Sequence, residues 1–320
     1  MNTAADVFGI ARQAAKGTLE TNPTFAHGLA GGGLAVDPSQ EPDKLTSAYL
    51  SAAGAFRDKI ENGFSIETRA FQKAIGLYLY AIMGGLSTTG EGPYVHTITL
   101  GSSNPYLSAF EKKYGPMHFG LRDCKLDELS LEWEENKPVV VKLKGMGTVL
   151  SFPVSFTPTV DETDTDDYYT PVGGTFKLDL DSATPAVVPV RAGKFTIKRG
   201  VETPFFSGAI EAGDANEGAC SAEASLTIRP DDLTVWRNAL TGATNGASIM
   251  TTPQYGSAEV TFVAGSDSLK IAGSHIAFLC DLPEADPEGG AVDCELAGEA
   301  FRGTGTTPLT FTLTNTQASY

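Results

Sequence analysis

GFSIETRAFQKAIGLYLYAIMGG, residues Gly63–Gly85, changes its apolar period once, and that change decides the fold class. Phe64, Ile66, Thr68 and Ala70 alternate along Gly63–Ala70, which sets one face of a half-buried strand against a core. From Phe71 the spacing turns helical: Phe71, Ala74, Ile75, Tyr78, Leu79 and Ile82 recur at i, i+3, i+4, i+7, i+8 and i+11. Gly84-Gly85 ends the run, because glycine reaches the left-handed conformation that closes a helix. A Tyr/Leu stripe of this kind packs a helix onto a sheet; a ligand groove is the narrower reading.

The same order returns downstream. Ser221–Ile228 (SAEASLTI) reads as a strand, followed by a helix opened by Pro230 with Asp231-Asp232 at its positive end. Leu233, Trp236 and Leu240 form the stripe and Gly242 the stop. Further strands are predicted at Val95–Leu100, His118–Asp123, Lys125–Trp133, Val139–Gly147, Lys194–Lys198, Ala258–Val263, His275–Cys280, Ala291–Ala300 and Leu309–Leu313. The broken alternation of KLDELSLEW (Lys125–Trp133) predicts a bulge near Asp127-Glu128. Residues 1–48, with the Gly31–Gly33 run, Pro38 and Pro42, read as irregular, and Ala53–Phe64 as a charged loop or hairpin tip. TVDETDTDDYYT, between Pro158 and Pro171, reads as a solvated linker. The reading is a tandem duplication of a small β-sandwich carrying one helix: a first domain at 1–157 with an N-terminal arm, a linker at 158–175, and a second domain at 176–320. One larger sandwich with insertions is the alternative that order alone leaves open.

Composition agrees with short strands and many turns. The 320 residues include 35 Gly and 18 Pro and are 41% hydrophobic, enough for one large or two ordinary cores. The 39 acidic residues outnumber the 23 basic ones, a formal −16 that repels duplex DNA and argues against a sequence reader. A wall past which DNA slides without sticking is compatible with that charge. Met1–Ile10 carries Asp6 and no basic n-region, so no secretory signal is expected. The longest apolar stretch, Ala74–Met83, is shorter than the roughly 20 residues a bilayer requires. The expectation is a soluble chain made in the cytoplasm, with no membrane partner.

Signatures of chemistry are absent from the sequence. It holds no GxxxxGK[ST], GxSxG, HExxH or GxGxxG motif. His27, His96, His118 and His275 are scattered without metal-ligand spacing, and the carboxylate pairs Asp127/Glu128 and Glu132/Glu134 are expected by chance in so acidic a chain. Neither enzyme activity, cofactor nor metal is expected. Cys124, Cys220, Cys280 and Cys294 show no CxxC spacing. Cys280 and Cys294 flank the acidic loop Pro283–Gly290 and form a candidate cross-strand pair, open to oxidation once a particle leaves the reducing cell.

Several segments, in order, resemble the tail tube proteins of phages with long non-contractile tails. FGIARQAAKGTLETNPTFAHGL (Phe8–Leu29) is similar to that family's opening segment and extended arm. Gly63–Gly85 looks like its strand and helix, and PYVHTITLGSSNPYLSAFEKKYG (Pro93–Gly115) like its next strand and crossing. FGLRDCKLDELSLEW (Phe119–Trp133) resembles its strand pair at looser spacing; FTIKRGVETPF (Phe195–Phe205) and LTFTLTNT (Leu309–Thr316) also fit.

The resemblance implies a mainly β fold, an antiparallel sandwich or half-barrel with a flanking helix, whose strands join neighbouring chains into a ring. Ring closure removes exposed strand edges, and a heterologous axial face stacks rings into a filament. It implies a virion structural protein, assembled in the host bacterial cytoplasm, that lines a conduit for double-stranded DNA without binding it specifically. Its partners are other copies of itself, a tape-measure protein, and the tail-tip and tail-terminator proteins. If both halves are tube domains, three chains complete a pseudo-sixfold ring, the favoured reading; otherwise six do. Lumen candidates are Glu67, Glu132, Glu134, Glu223 and Glu259, with Lys125 and Arg69 turned elsewhere or offset. Inter-ring contacts are expected from Leu45–Asn62, with Arg57, Asp58, Lys59 and Glu61, and from Glu202–Glu217, with Glu211 and Asp214. The rival is a carbohydrate- or receptor-binding sandwich of a virion or cell surface, with Trp133, Trp236, Tyr168 and Tyr169 as the supply for an aromatic platform.

Overall fold

A computed structural model describes residues 7–42, 55–113, 117–157, 168–180, 185–229, 234–243, 246–253, 255–280, 293–302 and 307–320. The chain runs β1 (Val7–Arg12), β2 (Phe25–Gly28), β3 (Gly31–Pro42), β4 (Ala55–Arg69), α1 (Ala74–Met83), β5 (Gly84–Thr89), β6 (Tyr94–Leu100), β7 (Leu107–Lys113), β8 (Met117–Glu134) and β9 (Val140–Gly147). It continues with β10 (Val149–Ser151), β11 (Thr175–Asp179), β12 (Ala186–Val187), β13 (Val190–Lys198), β14 (Ser221–Ile228), α2 (Thr234–Thr241), β15 (Tyr255–Ala264), β16 (Asp267–Cys280), β17 (Cys294–Ala300) and β18 (Thr310–Asn315). The fold is mainly β, antiparallel at every strand pair, and of sandwich type.

One layer runs β3–β4–β9–β8–β13–β14–β17 and ends on the C-terminal half of β16. β16 then crosses over, and its N-terminal half lies between β15 and β18, which lead to β11 and to β6–β5 in the second layer. The layers meet around Trp133 of β8. Its ring packs on Phe195 of the adjacent β13 and, across the core, on Phe262 of β15 and Phe176 of β11, at centroid distances of 5.3–6.1 Å within this aromatic group. The first half of β8 carries a smaller sheet, β2–β1–β7 on one side and β10 on the other. One large buried cluster runs from Phe8 to Leu313, and a small second one gathers Ala11, Phe110 and Phe156.

The strand-to-helix segment folds as its pattern dictates, with one difference. Phe64, Ile66 and Thr68 of β4 are buried, and Gly84, in the left-handed conformation (φ 82°), donates its N–H to the Tyr80 carbonyl to close α1. The helix begins at Ala74, three residues later than the stripe predicts, and every residue but Tyr80 is buried. It is a core helix against β8, β6 and β5, and Tyr320 closes over Gly76, where no side chain fits.

Three expectations are corrected. Over their described part, 7–42, residues 1–48 are not irregular: β1, β2 and β3 fall there. The Gly31–Gly33 run is strand, paired with Glu67, Ile66 and Ser65 of β4, and glycine is needed there because backbone and side chains approach it closely. A Cβ on Gly32 (φ 90°) would stand 1.9 Å from the Ser65 carbonyl oxygen, and one on Gly33 would stand 2.3 Å from Glu111 Oε1. Pro38 and Pro42 are tolerated since β3, among the described residues, pairs with β4 alone, as an edge strand can. Nor is Ala53–Phe64 a loop over its described part. β4 starts at Ala55, but pairs with β9 only from Asn62, so its first turns form a two-stranded ribbon with β3. A ribbon wet on both faces shows no alternation. Finally, the two strands expected at His118–Asp123 and Lys125–Trp133 are one, bent where Asp123 takes φ 52°. The bulge expected beside Asp127 is present, between Leu126 and Glu128.

The order of elements repeats. β3 and β4 form a hairpin, α1 follows, and the later hairpin β8–β9 adds to β4 as β3–β4–β9–β8. β13 and β14 form a hairpin, α2 follows, and the later hairpin β16–β17 adds to β14 as β13–β14–β17–β16. The two four-strand sets are joined inside the chain where β8 pairs with β13.

Candidate functional site

The outward face of the first layer is a lattice of carboxylates and lysines. Strand parity puts the apolar residues of β4, β9, β8, β13 and β14 inward and leaves Glu67, Lys142, Lys144, Glu128, Glu132, Lys194 and Glu223 outward. Glu132 is its centre, bonded by Lys142 Nζ at 2.6 Å and Lys194 Nζ at 2.9 Å. Partial burial alone would raise its carboxyl, but the two lysine bonds outweigh that and hold it below the usual carboxylate range. Lys198 reaches Glu223 at 3.1 Å, Lys144 reaches Asp127 at 3.5 Å, and Lys137 pairs with Glu134. Glu67 lies beside Lys142 in the strand register.

Four of the five lumen candidates, Glu67, Glu132, Glu134 and Glu223, therefore share one face, and their charge is locally offset. Glu259 does not join them. β15 belongs to the opposite layer, with Phe262 turned in towards Trp133, so Glu259 points out on the far side of the sandwich. There Lys270 at 2.5 Å and Lys177 at 3.2 Å hold its carboxyl below the usual range. Of the two cations, only Lys125 leaves this face; Arg69, exposed and two residues from Glu67 on β4, stays on it. Lys125 is buried, paired with Glu217 and 4.5 Å from the Tyr106 ring centroid; Arg69 lies 4.6 Å over Tyr168.

The two loop regions named for stacking meet. Ile60 of the β3–β4 ribbon donates its N–H to the Ile210 carbonyl at 2.7 Å, a parallel bridge joins Ile60 to Glu211, and Lys59 lies 5.6 Å from the Phe205 ring centroid while pairing with Glu61. Asp58 is exposed, and Arg57 pairs through its backbone with Gln40. Asp214 is an anchor: it accepts from Tyr106 Oη at 2.8 Å and pairs with Lys16 at 2.5 Å. Burial would raise its carboxyl, but these bonds keep it low. Residues 45–54 of the first loop lie outside the described residues. Sequence reasoning missed two exposed apolar residues here, Phe206 and Ile210; the FF doublet at Phe205-Phe206 was the available signal.

Cys280 and Cys294 are neighbours on β16 and β17, set diagonally because Cys280 lies opposite Leu296. Neither is in a disulfide, and burial together with the adjacent Cys280 pushes Cys294 up to about 12. The loop between them lies outside the described residues, as does most of the 158–175 segment. Trp133, Trp236 and Tyr169 are buried and Tyr168 sits under Arg69, so these four supply no exposed aromatic platform. Each histidine has a local partner, as His27 with the Tyr78 hydroxyl at 3.0 Å, and the described residues contain no metal-ligating cluster.

A family described as phage tail tube protein has a sequence model that matches residues 3–318. The chain belongs to the phage tail tube protein family. A search of curated proteins finds no match. As a tail tube protein it is a structural component of the virion tail, and the family implies self-assembly into a tube together with other tail components. No described helix is long and apolar enough to cross a membrane.

Proposed function

We propose that this tail tube protein forms rings of three chains, each supplying two tube-type units, and that the rings stack helically into the conduit of a long, non-contractile phage tail. The repeated four-strand order, β3–β4–β9–β8 and β13–β14–β17–β16, supports this reading. It favours units at 1–157 and 176–320, joined through 158–175, and hence three chains where single-unit subunits need six. The Glu/Lys face lines the lumen, with Glu67, Glu132, Glu134 and Glu223 as its carboxylates. A lysine free to neutralise a phosphate releases counterions and strengthens binding, whereas one already held by a carboxylate contributes less. Duplex DNA slides along such a wall during ejection, after a tape-measure protein has occupied the lumen. Tail-tip and tail-terminator proteins bound the tube, which is built in the host cytoplasm.

Negative-stain electron microscopy of the purified, concentrated chain tests this. Hollow striated filaments with threefold end-on averages are expected. Sixfold averages with one chain per unit would overturn the stoichiometry, and a chain that stays monomeric even with tail-tip initiator present would overturn the tube reading.

A further inference from the structure

We infer that Cys280 and Cys294 form an intrachain oxidation site: they are thiols as the chain is made, and hydrogen peroxide joins them in a disulfide that ties the end of β16 to β17. The timing, in the released tail, rests on the tube being built in the reducing host cytoplasm, where disulfides are rare. The chemistry rests on the pair alone.

The register brings the two together. β16 and β17 pair from Ile276↔Ala300 to Cys280↔Leu296, and Cys294 lies two residues from Leu296 on the same side of β17. Such diagonal neighbours across an antiparallel pair are within side-chain reach, and Cys280 is near enough to hydrogen-bond the Cys294 thiol. The other two cysteines stand apart. Cys124 is buried on β8, where its thiol donates to the Leu121 carbonyl at 3.3 Å, and Cys220 lies beside Arg199, just ahead of β14.

A disulfide holds its Cβ atoms about 3.8 Å apart, closer than a diagonal sets them, so one strand end has to yield. The pairing says which. Cys294 is fixed from its other side by Ile228 of β14. Beyond Ala277, β16 pairs with β17 alone among the described residues, and Cys280 is its last paired residue. Leu279, beside it, is 76% exposed. A shift of this end therefore breaks no ladder to a third strand.

Exposure divides the roles. Cys280 is half-buried on the wall of an open groove of about 880 Å³, which admits a dissolved oxidant. Its thiolate attacks one oxygen of hydrogen peroxide, the O–O bond breaks, and hydroxide leaves a sulfenic acid behind. Cys294, 1% exposed, is shielded from the oxidant and acts second. Its sulfur attacks that of Cys280, the S–S bond forms as the S–O bond breaks, and the departing hydroxide takes the Cys294 proton. Two thiols and one peroxide thus give one disulfide and two waters. The bond closes the 13 residues between the cysteines into a loop. Chain entropy for a loop of that length favours the folded state by roughly a hundredfold, less what the shift of β16 costs.

The test treats the purified, unassembled chain with equimolar hydrogen peroxide, then denatures it and alkylates it with N-ethylmaleimide for intact-mass spectrometry. Four adducts are expected before oxidation and two after it, with Cys280 and Cys294 in one cross-linked peptide pair and all four adducts restored by dithiothreitol. The urea midpoint should rise on oxidation and fall back on reduction. Cys294→Ala should stop at the sulfenic acid of Cys280, trapped with dimedone, and Cys280→Ala should keep all its remaining thiols. The wild-type measurement stands by itself if either variant misfolds. Four adducts after peroxide, a bond to Cys124 or Cys220, or a sulfinic acid on Cys280 beside an intact Cys294 thiol would overturn the site and leave the tube reading untouched. A chain that oxidises as described yet forms no filaments keeps the site, while the tube reading and the timing fall.

Discussion

Trp133 of β8 lies across the bare Cα of Gly193 on β13, and a Cβ built there would stand 2.2 Å from the indole. The indole cannot move aside freely, because Phe195, Phe262 and Phe176 hold its other surfaces. This contact closes the seam between the two four-strand sets. Gly193→Ala should therefore cost about 1–3 kcal/mol by overpacking, and Trp133→Ala about 3–5 kcal/mol by truncation. Gly28→Ala, where nothing lies within 4 Å, should stay within about 0.5 kcal/mol. Urea unfolding of the unassembled chain measures all three; equal midpoints for the two glycine variants would show that the seam is not tightly packed.

His27 is buried against Tyr78 and Phe71, and burial lowers its pKa from 6.5 to about 4. The folded chain refuses a proton that the unfolded chain accepts. Stability contributed by neutral His27 is complete above about pH 6.5 and declines as pH falls from there towards 4. The full loss is roughly 3 kcal/mol. His27→Gln, which retains a polar partner for Tyr78, should flatten this part of the pH–stability curve. A curve of the same slope for both chains between pH 6.5 and 4 would assign the loss elsewhere.

These two sites also mark what is legible in the sequence. β14 was read to the residue, Ser221–Ile228, because one face is buried and alternation has nothing to compete with. The bulge at Asp127 was readable from the same rule broken once. The β3–β4 ribbon was not, since a strand wet on both faces leaves no periodic trace, and glycines forced by close approach look like glycines of a loop. Glu67, Glu132, Glu134 and Glu223, named only as strand carboxylates, lie on β4, β8 and β14, alternate strands of one layer, and point outward from it. Alternation could not show that β16 crosses between layers, which sends Glu259 to the other side. The partnership of Trp133 with Gly193 joins residues 60 positions apart, and pairing at that range is set by the whole core.

The lattice around Glu132 makes a prediction about DNA. Glu132→Gln with Glu223→Gln removes the carboxylates that hold Lys142, Lys194 and Lys198. These side chains are solvent-accessible, so stability should change by no more than about 1 kcal/mol. Tubes of the double variant should retain duplex DNA at low salt where wild-type tubes do not, with log K falling by about 0.9 per phosphate contact for each log unit of salt. Unchanged, negligible binding by both tubes, measured by cosedimentation across a salt series, would mean that this face does not meet the DNA.

Phe206 is 60% exposed, yet it is not loose. Its ring lies over Gly213, where a Cβ would stand 2.3 Å from it, and Gly213 donates its N–H to the Pro204 carbonyl at 3.0 Å. The same loop is tied to the body of the chain through Glu217 to Lys125 and the Asn104 N–H, and through Asp214 to Tyr106 and Lys16. An apolar ring fixed in position with one side facing water fits an interface anchor better than it fits idle surface. Ile210, 46% exposed and bonded to the β3–β4 ribbon, extends the patch. Phe206→Ser with Ile210→Ser should leave the unfolding midpoint nearly unchanged and ring formation intact, but shorten filaments sharply at a given protein concentration. Filament lengths in the microscope decide it. Tubes of normal length would remove this loop from the stacking contact and leave axial cohesion to the charged residues Asp58, Lys59 and Glu61 of the ribbon.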